Sequence, residues 1–315
     1  MHTTHLSRRG LLTAAGVAFG AAAVPNTAKA DEKRPHGFTY CLNTATIRGQ
    51  KLPIDKEIGV AAEAGYDGIE PWLDGINRHK EAGGSLRDLK KMTGDLGITV
   101  ESAISFPSWI VDDDAERAKG FEQVKREMDL LAQIGGKRIA APPAGATREP
   151  GLNLDKAAER YRQLLELGEE MGVIPQIEIW GSSKNLHRLG QAMYVVVESG
   201  HPKACLIPDI FHIYKGGSDF NGLKAIGASA IQVFHINDYP ADPPREQARD
   251  SDRLFPGDGI APVTQIIRDL LANRCTAVLS LELFNPIYYQ QDPLAVAKAG
   301  LEKMKAAVEK ALSAG

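Results

Sequence analysis

The feature that most constrains this chain is a regular alternation of short apolar runs with longer amphipathic runs. The short runs have the length of buried strands and the longer ones have helical periodicity, with glycine just past most of them. Strands are predicted at 38–42, 66–70, 98–103, 137–141, 173–180, 204–209, 230–237 and 276–284, and helices at 54–64, 85–96, 112–134, 154–171, 185–199, 223–228, 262–272 and 293–312. Such alternation predicts parallel strands with helices outside them. Eight units in one uninterrupted domain predict an α/β fold of the (β/α)₈ barrel type.

The first thirty residues have the order of an export signal. Ser7-Arg8-Arg9-Gly10 is a twin-arginine pattern, an apolar stretch follows over residues 11–24, and residues 28–30 offer a small-residue cleavage site. The predicted division is therefore a twin-arginine signal peptide at 1–30 and a barrel at 31–315. We expect a periplasmic or exported protein, and the apolar stretch is too short for a comfortable membrane span.

Charge and cysteine content exclude several classes of partner and site. Losing residues 1–30 removes Arg8, Arg9 and Lys29 and no acid, so the net charge goes from −3 to −6. A mildly acidic domain is a poor candidate for binding nucleic acid. The three cysteines are widely spaced, which predicts neither a disulfide framework nor a thiolate metal site. No glycine-rich phosphate loop follows the first strand, which removes the main support for nucleotide binding.

Four consecutive predicted strands each carry one hard metal ligand near the carboxyl end. These residues are Glu178, Asp209, His235 and Glu282. Active sites of such barrels lie at that end of the strands, and carboxylates that converge there repel each other unless a cation joins them. Three carboxylates and one imidazole predict one divalent ion, with Mn²⁺ favoured and Mg²⁺, Co²⁺ or Zn²⁺ as alternatives.

The same four residues resemble the Glu-Asp-His-Glu centre of the xylose-isomerase-like TIM-barrel superfamily, the sugar phosphate isomerase/epimerase group. The segments HINDYP, DSDRLFPGDG and LSLELFNPIYY, in that order, are similar to those of inosose isomerases. The resemblance implies a TIM barrel, a divalent metal and a sugar or polyol substrate. It further implies proton transfer through a metal-stabilised ene-diolate, with Glu178 and Glu282 as catalytic acid and base.

The remaining candidate residues are assigned to substrate binding. His212 and Arg253 are expected to bind the substrate oxygen on which negative charge develops, although Arg253 could instead pair with a neighbouring aspartate of its loop. Glu70 and Trp180 are expected to line the sugar pocket, where aromatic faces often cover sugar rings, although Glu70 could equally pair with a lysine. Trp72 and Trp109 are weaker candidates for the same pocket.

Three other functions stay open at this point. Abstraction of the same proton from a 3-keto-glycoside would expel the neighbouring substituent, which makes the enzyme a lyase or hydrolase. A non-catalytic periplasmic barrel that binds sugar would use the same residues. A nuclease for abasic DNA shares the fold, but the charge and the export signal disfavour it. Assembly into a homo-oligomer is expected from the resemblance alone.

Overall fold

Eight short strands, all paired in parallel, form the centre of the molecule. The computed structural model describes residues 36–313, so the expected signal, its cleavage site and the boundary at residue 30 lie outside the described residues. The strands are β1 (Thr39–Asn43), β2 (Gly68–Glu70), β3 (Thr99–Val100), β4 (Arg138–Ala141), β5 (Ile174–Glu178), β6 (Leu206–Ile207), β7 (Val233–Ile236) and β8 (Val278–Leu281).

Two sheets meet along both edges to close the barrel. One sheet has the order β3-β2-β1-β8-β7 and the other the order β4-β5-β6. Between β6 and β7, Asp209 forms a parallel bridge with His235. Between β3 and β4, the Ala140 amide donates to the Ala103 carbonyl oxygen at 2.9 Å. The predicted (β/α)₈ barrel is confirmed, and the carboxyl ends of all eight strands open on one face.

Ten α-helices accompany the strands within residues 36–313. They are α1 (Ile54–Ala64), α2 (Leu73–Glu81), α3 (Leu86–Leu96), α4 (Asp114–Gln133), α5 (Leu154–Met171), α6 (Leu189–Glu198), α7 (Ile210–Gly216), α8 (Val263–Ala272), α9 (Pro286–Tyr289) and α10 (Pro293–Ser313). The predicted helices 54–64 and 154–171 have the predicted bounds. The predicted helix 223–228 is instead a 3₁₀ turn at Phe220–Ala225.

The sequence did not predict α2, α7 and α9. Only two side chains of α2 are buried, so its apolar periodicity is weak. Four successive residues of α7, from Ile210 to Ile213, are all buried, which removes the contrast between two faces. A short helix of that kind cannot be distinguished by pattern from the end of a buried strand.

Side chains alternate between two environments along each strand. In β8, Leu279 and Leu281 pack outward into the large core beneath the helices, whereas Ser280 points into the barrel. The barrel interior holds a second, smaller apolar cluster that includes Cys41, Ile207 and Val233. Because of this alternation, the residue two places after an inward-pointing residue also points inward. We call this rule parity. At the carboxyl ends of the strands, it directs side chains into the site described below.

Two further findings concern the cysteines and the helices of the described residues. All three cysteines are free and buried, consistent with the absence of a disulfide framework from the sequence. Among the helices of residues 36–313, none combines the length and the apolar character that a membrane span requires.

Helix α1 buries one carboxyl group away from the barrel. Glu57 is only 8% exposed and faces a cavity that Arg48, Asp74 and Arg78 also line. Burial first, and the Asp74 carboxylate second, raise the pKa of Glu57 from an ordinary value of 4.5 to about 8. The unfolded chain therefore releases this proton at lower pH than the folded chain does, and the free energy of unfolding falls as pH rises from about 4.5 to about 8.

We predict that Glu57→Gln removes this part of the pH dependence. The wild-type contribution at the middle of the window is about 1.4 kcal/mol per pH unit. The variant should therefore be more stable than wild type at pH 8, with a smaller difference at pH 5. Urea unfolding followed by circular dichroism at several pH values measures this. The control is Glu63→Gln, an exposed position of the same helix that should keep the wild-type slope. Equal slopes for wild type and Glu57→Gln would contradict the assignment.

Candidate metal centre

Strands β5 to β8 bring the four predicted ligands together at the carboxyl end of the barrel. Glu178, Asp209, His235 and Glu282 are each at most 3% exposed. The His235 Nδ1 atom lies 3.3 Å from Glu282 Oε2 and 3.6 Å from Asp209 Oδ2. Ligand atoms of Glu178, His235 and Glu282 all lie within 4.8 Å of one another. The structure therefore brings all four side chains into one buried cluster.

The atoms of this cluster fit a divalent cation. Within residues 36–313, Glu178 Oε2 and His235 Nδ1 are buried without a hydrogen-bond partner, although Nδ1 is close to two carboxylates. Buried polar atoms normally have a partner, so these two are available for a ligand. Burial, followed by the nearby Glu282 carboxylate, raises the pKa of Glu178 to about 8, which indicates an excess of negative charge. Oxygen and imidazole donors without thiolate are the set expected for Mn²⁺, Mg²⁺, Co²⁺ or Zn²⁺.

Asp209 already has several hydrogen-bond partners. Its Oδ1 accepts a hydrogen bond from the His212 amide at 2.8 Å and so begins helix α7. Its Oδ2 accepts from Asn237 Nδ2 at 3.2 Å and from Arg253 Nη1 at 2.9 Å. Burial would raise the pKa of Asp209, but the Arg253 guanidinium holds that pKa well below its ordinary value.

Arg253 is the principal cation of the site. Its side chain is about 1% exposed, and Nη1 donates to both Asp209 Oδ2 and Glu282 Oε2 at 2.9 Å. Its Nε also donates to Asp250 Oδ1 at 3.1 Å, and Nη2 lies 3.0 Å from His212 Nε2. The loop salt bridge that the sequence left open is therefore present. It coexists with contacts to two of the predicted ligands.

A cavity of about 640 Å³ opens onto this cluster. Glu178, Glu282, His212 and Arg253 form its floor, and Arg148 and Lys184 are among the residues at its mouth. Four aromatic rings line its walls, namely Trp72, Phe106, Trp180 and Phe284, with neighbouring ring centroids 5.1 to 6.0 Å apart. The cavity therefore combines a charged floor with apolar walls, as is typical of small-molecule sites.

The placement of the expected substrate-binding residues is mixed. His212, Arg253 and Trp180 line the cavity. Trp109 does not, because it is fully buried and its Nε1 donates to the Pro142 carbonyl oxygen at 2.8 Å. Phe106 and Phe284 were not predicted. Phe106 lies three residues after the predicted strand 98–103, and Phe284, like Trp180, is the last residue of a predicted strand, and that position was the signal available in the sequence.

Glu70, predicted to bind substrate, lies elsewhere. It is 0% exposed and is not among the residues that line the cavity. Its Oε2 lies 3.0 Å from His235 Nε2 and accepts hydrogen bonds from Asn43 Nδ2 and Ser280 Oγ. Glu70 lies outside the cavity because the alternation of side chains along β2 points it into the barrel interior. A histidine is its cationic partner there. Within the described residues its cationic partner is therefore a histidine rather than the lysine considered from the sequence.

Comparisons with known proteins agree with the architecture. A family model described as xylose isomerase-like TIM barrel matches residues 58–307. An inosose isomerase from Bacillus licheniformis is 29% identical over 173 residues, which is 54% of this chain and 62% of the relative, less than two thirds of its length. A 3-dehydroshikimate dehydratase from Pseudomonas aeruginosa is 25% identical over 84% of this chain and 40% of the relative.

A fructoselysine 3-epimerase from Escherichia coli O157:H7 is 22% identical over 83% of this chain and 96% of the relative. Among solved structures, the IOLI protein, which was crystallised with a bound zinc atom, superposes with a TM-score of 0.77 at 24% identity. That superposition covers 87% of this chain and 99% of the other. At this identity the structural likeness shows the fold, and the relatives' names are those of isomerases, epimerases and dehydratases.

We predict that Arg253→Met strongly destabilises the metal-free protein. The substitution leaves the Asp209 and Glu282 carboxylates buried without their guanidinium partner, a loss of about 3–5 kcal/mol for buried ion pairs. Urea unfolding in the presence of a chelator measures the difference. Arg249→Met is the matched control, because Arg249 is exposed in the same loop and should change the free energy of unfolding by less than about 0.5 kcal/mol. Equal losses in the two variants would contradict the role of Arg253.

Proposed function

Because this chain belongs to the xylose isomerase-like TIM barrel family, we propose that it is a divalent-metal-dependent isomerase or epimerase of a keto-sugar or keto-inositol. The observation that carries the proposal is the position of Glu178 and Glu282, two carboxylates from different strands at the floor of one cavity and beside His235. Proton transfer next to a carbonyl requires a base and an acid within reach of one substrate. The names of the isomerase and epimerase relatives support this class of reaction.

The proposed centre holds the ion through Glu178, Asp209, His235 and Glu282. When bound, a divalent ion supplies a Lewis acid that polarises the substrate carbonyl and makes the neighbouring carbon acidic. The two buried atoms without a partner, Glu178 Oε2 and His235 Nδ1, support this assignment. The zinc atom of the IOLI protein agrees with a divalent ion in this fold, and the oxygen-rich donor set favours Mn²⁺.

The chain's own side chains would carry out the proton transfer. One of Glu178 and Glu282 removes the proton beside the carbonyl, and the other returns a proton at the neighbouring position or on the opposite face. Arg253 and His212 lie 3.0 Å from each other at the cavity floor and can stabilise the negative charge that develops on the substrate oxygen. The aromatic walls around Trp72 and Trp180 can stack on the sugar ring and exclude water.

A lyase acting on a 3-keto-glycoside is the second candidate, and the size of the cavity favours it. A volume of about 640 Å³ with four aromatic rings leaves room for a second group beside a single sugar ring. The reaction would begin with the same proton abstraction. The electron pair would then form a carbon–carbon double bond while the bond from the next carbon to oxygen breaks, and the protonated carboxyl group would return its proton to the leaving oxygen. The dehydratase relative supports an elimination of this kind.

Export through the twin-arginine route is also part of the proposal. It rests on Arg8 and Arg9 together with the apolar stretch that follows them. Fractionation of cells that express the full chain tests it, because replacing both arginines by lysine should retain the protein in the cytoplasm. Wild-type protein found in the cytoplasm alone would contradict it.

We predict that Glu178→Gln and Glu282→Gln each lower turnover by at least about 100-fold, because each removes a group that transfers a proton. The measurement is incorporation of solvent deuterium by NMR into keto-inositols, ketohexoses and 3-keto-glycosides with Mn²⁺ present. Glu149→Gln, an exposed position, is the control and should keep wild-type turnover.

Removal of the metal should abolish the same exchange, and Mn²⁺ should restore it. A chelated wild-type protein that still exchanges deuterium at the full rate would contradict metal dependence. Mass spectrometry separates the two candidate functions, because isomerisation conserves the mass of the substrate, whereas elimination releases a second product.

A further inference from the structure

The two ring nitrogens of His235 face different surroundings. Nδ1 faces Glu178, Asp209 and Glu282 and has no hydrogen bond to the described residues, whereas Nε2 lies 3.0 Å from Glu70 Oε2. A neutral imidazole carries one proton, and it binds a metal through the nitrogen that lacks it. A carboxylate beside Nε2 favours the proton on that nitrogen and leaves the Nδ1 lone pair free.

We propose that Glu70 is a positioning residue of the metal centre, which orients the His235 ring and keeps its proton on Nε2 so that Nδ1 can bind the divalent ion. The inference rests on the proposed metal centre and adds to it a residue that contacts neither ion nor substrate. Glu70 lies on β2 and His235 on β7, so the contact crosses the barrel interior. The orientation of His235 therefore depends on β2, a strand that supplies no metal ligand.

The Glu70 carboxylate is itself held in place by two donors. Its Oε2 accepts from Asn43 Nδ2 at 2.9 Å and from Ser280 Oγ at 2.6 Å. Both donors are fully buried, and they come from β1 and β8. The carboxylate that faces His235 is thus fixed by side chains of the two strands that lie between β2 and β7 in the sheet. A ring hydrogen-bonded to a fixed group loses little further freedom when it binds a metal.

Asn43 extends the same support to a second ligand. Its Nδ2 also donates to Glu282 Oε1 at 3.1 Å, while its Oδ1 accepts from the Trp72 indole at 3.2 Å and from the Ala45 amide at 2.9 Å. Two donors to Oδ1 determine which way the amide faces, so the NH₂ group is directed at both carboxylates. One network therefore fixes His235 and Glu282 together.

A purely structural role for Glu70 makes a different prediction. Such a role predicts that loss of the carboxylate lowers the free energy of unfolding of the metal-free protein, because one partner of a buried pair is removed, and leaves metal affinity unchanged. A positioning role predicts instead that loss of the carboxylate weakens metal affinity by about 10- to 100-fold. Metal affinity and metal-free stability therefore separate the two roles.

The test compares Glu70→Gln with wild type, using the full chain prepared free of metal. Zn²⁺ and Mn²⁺ affinities are measured by competition with a chromophoric chelator, and stability by urea unfolding without metal. We expect affinity to fall by about 10- to 100-fold, whatever the change in the metal-free unfolding midpoint. Glu101→Gln is the matched control, since Glu101 is a half-buried carboxylate near the end of β3 that pairs with Arg138, and it should keep wild-type affinity.

Equal affinities in wild type and Glu70→Gln overturn the positioning role while leaving the metal centre intact. A wild-type protein that binds neither Zn²⁺ nor Mn²⁺ overturns the metal centre and the inference with it. If Glu70→Gln does not fold, an NMR measurement on the Zn²⁺-loaded wild type still tests the positioning role. Histidine side-chain ¹H–¹⁵N NMR should show His235 with a slowly exchanging proton on Nε2, and a proton on Nδ1 would overturn the proposal.

Discussion

The burial of several carboxylates at one end of the barrel is the constraint on which the rest of the structure depends. Four carboxylates and two cationic side chains meet there. They come from β2, from β5 to β8 or the residues just after these strands, and from the loop between β7 and α8. The residues are Glu70, Glu178, Asp209, Glu282, His235 and Arg253. Fully ionised, this group carries a net charge of −2, which a protein interior does not tolerate without a counter-charge. Arg253 contacts Asp209 and Glu282, and His235 contacts Glu70. Glu178 has no cation in hydrogen-bond contact among the described residues, and burial, followed by the nearby Glu282 carboxylate, raises its pKa to about 8. The proposed divalent ion beside Glu178 would supply the missing charge.

The fold could be predicted from the sequence because its strongest signals are local. Alternating runs and glycine at helix ends located most helices to within a few residues, and in the structure Asp113 and Asn153 cap α4 and α5. The strands were predicted too long, as at 98–103, where the regular strand is only Thr99–Val100. An apolar run continues past the regular strand because the barrel interior keeps those residues buried. Burial and strand pairing are therefore different properties, and sequence pattern reports the first.

The residues of the candidate site also differ in how far the sequence could predict them. Glu178, Asp209, His235 and Glu282 were predictable because each lies near the end of its own strand on the inward parity, and closure of the barrel brings successive strands together. The contact between Glu70 and His235 was not predictable, because two inward side chains from strands far apart in the sheet order can meet only through the width of the interior. Parity shows that Glu70 points inward. It does not show which side chain it meets.

The division between strands and loops also bears on what the chemistry can become. The proposed acid, base and ligands lie on the strands or within two residues of their carboxyl ends, whereas Phe106, Trp180 and Phe284 follow the strands on loops. Removal of a proton beside a carbonyl would depend on this charged cluster, including Arg253. Whether the proton then returns to carbon or a neighbouring substituent leaves depends on how the cavity walls orient that substituent. The relatives are named as isomerase, epimerase and dehydratase. These names are compatible with one set of charged residues at the bottom of the cavity and different residues in its walls. We therefore expect the aromatic walls, rather than the charged cluster, to decide between the two candidate functions proposed for this chain.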